Sequence, residues 1–177
     1  MSRFTAFFWV LFLAAFVLRA EEPAYLDPHW EPFRNLLGKT FRGEFKDSKP
    51  DKPLVDVSRW ERALNGKAVR ILHSLNDGAY GGETLFVWNE EAQAVKYFYF
   101  TTAGFTTTGT VAFKDGKILT HEHVAGAANG VTEVRGVSEI STAGTLQVKT
   151  EYLKNGDWVP GREVTYREDA MAKVVFK

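Results

Sequence analysis

The chain contains no cysteine, and only two methionines and six prolines, among 177 residues. Without cysteine there is no disulfide framework, no thiol nucleophile and no thiolate-ligated zinc or iron–sulfur site. An excess of charge of one sign is also missing: 22 basic side chains stand against 22 acidic ones. That balance removes the basic patch and high pI that mark a nucleic-acid binder, so no nucleic-acid partner is expected. No apolar run is long enough to cross a bilayer as a helix. The longest, Phe4–Leu18, is fifteen residues broken only by Thr5, and as a helix it reaches about 22 Å against a hydrocarbon core of about 30 Å. A Gly-x-Ser-x-Gly elbow, a phosphate loop and a dinucleotide fingerprint are absent as well. The glycine-rich stretch Gly78–Gly82 joins two strands and opens no helix, so it lacks the dipole that holds a phosphate.

What is present begins with an export signal. Arg3 supplies a positive start, the apolar run follows, and Ala20 offers a small residue for cleavage. Residues 1–20 are expected to be a signal peptide and residues 21–177 a single domain, periplasmic or secreted, with no stable membrane insertion after cleavage.

After a short helical segment the chain has the period of strands. Asp27 can cap, Pro28 suits the first helical position, and Trp30, Phe33, Leu36 and Leu37 fall at helical spacing before Gly38. Beyond Gly38, strand-like runs are separated by short turns, among them Asn65-Gly66, Ala103-Gly104, Asp115-Gly116 and Asn155-Gly156. A last apolar segment spans Lys173–Phe176. The expected fold is all-β: a roughly ten-stranded antiparallel meander that closes into a barrel to bury one face and hide its edges, with a short N-terminal helix.

Two-residue turns fix which residues face each other. Asp115-Gly116 sets Gly109 opposite Glu122 and Thr110 opposite His121. Ala103-Gly104, read the same way, sets Phe98 opposite Gly109 and Phe100 opposite Thr107. Together they predict an inner face of Phe98, Phe100, Phe105, Val111, Phe113, Ile118 and Val124 with Thr107, Thr120 and Glu122 as polar members. The outer face then carries Tyr97, Tyr99, Thr108, His121 and His123. Asn65-Gly66 pairs Glu61 with Arg70 outside and puts Trp60 and His73 inside. A ligand cavity lined by Trp60, His73, Phe98, Phe100, Thr107, Gly109, Thr120 and Glu122 follows, because a few polar groups in an apolar cavity orient a small molecule. Glu122 is expected to be buried, with a raised pKa unless a cation such as Arg135 on the next strand pairs with it. His121-x-His123 has the spacing of two metal ligands, but on the solvent face it reads as surface histidines. No metal and no catalytic residue is assigned.

The segment Leu36–Phe45, a short helix running into a first strand, resembles the opening of small lipocalin-like barrels of the calycin type, most closely the secreted bacterial members. Val164-Thr165-Tyr166 resembles the closing strand of the more distant nitrobindin-like haem barrels. In those relatives the iron ligand is a histidine five residues before the tyrosine; Gly161 stands at the matching position here, and no cofactor is expected. The resemblance and the residues together imply an exported barrel that binds an apolar or amphipathic small molecule. The alternatives are a lipocalin-fold enzyme using interior acid–base groups, and an interaction protein presenting its outer Tyr/Thr/His face.

Overall fold

The computed structural model describes residues 25–127, 129–141 and 143–177; the expected signal peptide lies outside them. Ten strands follow in order: β1 (Thr40–Phe45), β2 (Val55–Ala63), β3 (Ala68–Leu75), β4 (Tyr80–Asn89), β5 (Ala94–Thr101), β6 (Thr106–Lys114), β7 (Lys117–Ala125), β8 (Val131–Ile140), β9 (Leu146–Lys154) and β10 (Asp157–Glu168). Each pairs antiparallel with the next, and β10 returns to β1 to close the barrel. Closure leaves no free edge among these strands, which is how a long meander avoids templating aggregation.

The turn chemistry explains most of the pairing. Asp115 and Gly116 both have positive φ, as do Asn155 and Gly156, the conformation of hairpin turns whose twist matches the strands. Gly109 faces Glu122 and Thr110 faces His121, as the sequence predicts. The β2–β3 connection takes four residues rather than two, but it is centred on the same pair, so Glu61 still faces Arg70 and Ser58 still faces His73.

The β5–β6 connection corrects the sequence reading. Phe98 pairs with Thr108 and Phe100 with Thr106, one residue away from the register that a two-residue Ala103-Gly104 turn imposes. Five residues, an odd number, separate the paired Phe100 and Thr106, held by the Thr101 hydroxyl donating to the Phe105 carbonyl at 2.8 Å. A slip of one residue exchanges the two faces of a strand. Tyr97 and Tyr99 therefore point inward, while Phe98 and Phe100 lie outside, 37% and 54% exposed. Burying tyrosines costs little here, because each buried hydroxyl has a partner.

The N-terminal segment is a 3-10 helix, Pro28–Phe33. Pro32 lies inside it and removes a donor that a longer α-helix would need. The three-residue steps Trp30, Phe33 and Leu36 suit the tighter helix, in which residues three apart eclipse. Asp27 caps it by accepting from the His29 amide at 3.1 Å. Trp30 and Phe33 are completely buried. The Phe33 ring meets Phe86 face to face at 5.2 Å and Phe113 edge-on at 5.2 Å, so the helix plugs one end of the barrel with aromatic surface. The expected final segment Lys173–Phe176 forms no strand. It belongs to a tail whose Val175 amide donates to Ser74 Oγ at 3.0 Å.

Candidate functional site

Below the aromatic plug the barrel encloses a cavity of about 230 Å³. Its wall is divided by chemistry. Phe33, Trp60, Ile71 and Phe86 form an apolar part, while Asp56, His73, Tyr80, Tyr99, Tyr152, Arg162 and Tyr166 form a polar part.

The polar part is built around Asp56 on β2, only 2% exposed. Its Oδ1 lies 2.9 Å from His73 Nδ1, and its Oδ2 accepts from the Tyr166 hydroxyl at 2.8 Å. Gly43 sits between them, paired with Tyr166 on one side and Asp56 on the other. A Cβ at Gly43 would stand 2.5 Å from the Tyr166 ring, so the glycine is what lets that ring cross β1 and reach the carboxylate. A carboxylate only accepts, so His73 Nδ1 carries the proton and donates. Nε2 lies 2.7 Å from the Tyr99 hydroxyl. Tyr99 in turn lies 2.6 Å from the Tyr80 hydroxyl. The result is a continuous chain from Asp56 through His73 and Tyr99 to Tyr80.

Arg162 reaches this cavity because β10 is irregular. Pro160 pairs with Glu151 but Glu163 with Lys149, so β10 holds one more residue than β9 between these pairs. This bulge re-aims a side chain. The Arg162 amide donates to Thr150 Oγ1 at 2.9 Å and fixes the bulge. Arg162 lines the cavity, and its charge is surrounded by protein although the residue as a whole is exposed. Enclosure disfavours its charge, but Tyr166, Asp56, Tyr152 and Tyr99 around it outweigh this and hold its pKa above the ordinary range. Burial likewise pushes the Tyr97, Tyr99 and Tyr166 hydroxyls well up, so all three are neutral donors at physiological pH.

Glu122 is on the cavity wall, and desolvation raises its pKa against the opposing influence of Tyr97, Arg162 and Thr107. Its partner is not Arg135. Arg135 lies outside against Glu151, whereas Thr107 donates to Glu122 Oε2 at 3.1 Å.

Of the residues singled out from the sequence, Trp60, His73, Thr120 and Glu122 line the cavity together. Thr107 lies behind the wall, 3% exposed. Phe98 and Phe100 are displaced to the outside by the register of β5. Gly109 opens no space: a Cβ there would stand 2.0 Å from the His121 carbonyl oxygen, so it marks a close approach of β6 to β7. His121 and His123 are outside, as expected, their rings 5.3 Å apart, with His121 Nε2 2.6 Å from Glu133 Oε2. Among the described residues, no group of three or more metal-ligating side chains gathers. Asp56, Tyr80, Tyr97, Tyr99, Tyr152, Arg162 and Tyr166 were not singled out as site residues. The signal for Arg162 was Pro160-Gly161 inside a strand pattern, which marks a bulge.

No family model matches the chain, and no curated protein matches it. Solved structures do match. The crystal structure of Rv2717c from M. tuberculosis aligns with a TM-score of 0.54 over 84% of this chain and 100% of that one, at 15% identity. At that identity the likeness is one of fold, and the chain is a closed ten-stranded antiparallel barrel with a structural counterpart in that protein.

Proposed function

We propose that this protein is an exported barrel that binds a small organic molecule in its lumen. The observation that carries the reading is the division of the cavity wall into an apolar part at Trp60 and Phe86 and a polar part at Arg162, His73 and Tyr99. Such a wall grips an apolar body and orients a polar end. The resemblance to secreted lipocalin-like barrels fits the same reading, as does the apolar run before Ala20. Two measurements test it. Native mass spectrometry of the protein taken from its own cell should show a bound small molecule, and fractionation should recover a chain lacking residues 1–20 outside the cytoplasm. An empty lumen that quenches no tryptophan fluorescence with any small organic probe rejects binding, and an intact N-terminus in the cytoplasm rejects export.

One observation favours an enzymatic second reading. The Asp56–His73–Tyr99–Tyr80 chain is a continuous hydrogen-bonded path along which a proton can be relayed to a molecule at Tyr80, since each hydroxyl and ring nitrogen in it can both give and take a hydrogen bond. Recovery of the bound molecule chemically altered after incubation, and unaltered with His73→Gln, would establish it.

A further inference from the structure

Arg162 is the one lysine or arginine among the described residues lining the cavity. None of the ion pairs or side-chain hydrogen bonds among the described residues involves its guanidinium, although eleven other bridges join side chains elsewhere or at Asp56 and His73 in addition to the surface pair at Arg135. The two carboxylates of the wall are otherwise engaged. Asp56 uses both oxygens, one for His73 and one for Tyr166, and Glu122 accepts from Thr107. With no hydrogen-bond acceptor among the described residues, the Arg162 donors are left free for a ligand. A planar fork of donors of this kind matches a carboxylate. One positive charge among neutral tyrosines suits a monoanion better than a dianion, whose second charge would meet Asp56.

Size narrows the ligand further. The cavity is about 230 Å³, at the small end of ligand pockets, which start at about 300 Å³. A space of this size favours a compact ligand over a porphyrin or a long acyl chain. Part of the apolar wall is aromatic, with Phe33, Trp60 and Phe86 clustered within 6.5 Å of one another by ring centroid. Flat rings stack favourably on such a surface.

We infer that the lumen selects a small aromatic carboxylic acid, its carboxylate on the Arg162 guanidinium and its ring toward Trp60 and Phe86. This rests on the lumen being a binding site and names the class of molecule that the site takes.

The test is a set of calorimetric titrations of the purified protein with phenylacetate, with phenylacetamide and 2-phenylethanol as neutral partners of equal size, and with palmitate. Phenylacetate should bind at least tenfold more tightly than either neutral compound, and palmitate should not compete. Arg162→Gln, with an unchanged circular dichroism spectrum, should erase the difference between acid and amide. The comparison on the unaltered protein stands even if that variant fails to fold. Equal binding of acid and amide overturns the carboxylate assignment while leaving the lumen a binding site, provided Ile71→Trp abolishes both. Tight palmitate binding that displaces phenylacetate overturns the size limit. If none of the compounds binds, both this inference and the lumen reading fall.

Discussion

Glu122 is a carboxyl group whose surroundings favour its uncharged form, since desolvation raises its folded-state pKa. The sign of the consequence follows from linkage. With the folded value above the unfolded one, its contribution to stability is full below the ordinary carboxylate range and is lost as pH rises through the raised value. Glu122→Gln should therefore melt at a higher temperature than the parent at neutral pH, with the gap closing in acid; a gap that widens in acid would reverse the assignment. Gly109 carries the second residue-scale expectation. A methyl group there meets the His121 carbonyl oxygen, so Gly109→Ala should lower stability by about 1–3 kcal/mol in urea unfolding. Glu122 was legible from the sequence because a two-residue turn fixed its register. Arg162 was not, because alternation counts residues and a bulge inserts one uncounted.

Among the elements, the 3-10 helix is a stopper held by its aromatic side chains. Phe33 touches Trp60, Phe86 and Phe113, so Phe33→Ala should cost about 3–5 kcal/mol and open the lumen at that end. Calorimetry and the accessibility of Trp60 to a soluble quencher measure the two effects separately. On β7 the opposite holds. His121 and His123 lie on the outer face, with His121 beside Glu133, and replacing both with glutamine should change stability by no more than about 0.5 kcal/mol. β5 shows where sequence reasoning fails at this scale. Tyr97 to Phe100 alternates two aromatic faces, so hydrophobicity separates them weakly. The parity of the next loop decides, and Ala103-Gly104 does not reveal that five residues, Thr101 to Phe105, separate the paired Phe100 and Thr106. The strands themselves were legible because Asp-Gly and Asn-Gly turns interrupt period-two segments at five of the nine boundaries between strands.

At the scale of the molecule, a ring of ten strands offers no subset that can come apart while the rest stays packed. Circular dichroism and tryptophan fluorescence should report the same urea midpoint; midpoints that differ would mean that part of the ring opens alone. The ring also has a history. Its seam joins β1, near the start of the described chain, to β10, which ends at Glu168. Asp56 comes from the second strand to be made, while Tyr166, which bonds it, and Arg162 come from the last. The chamber is therefore incomplete until the final strand is in place, because Arg162 and Tyr166 arrive with it. Whatever occupies the lumen is bound no earlier than the closing of the ring, so its supply is governed by where that closing takes place.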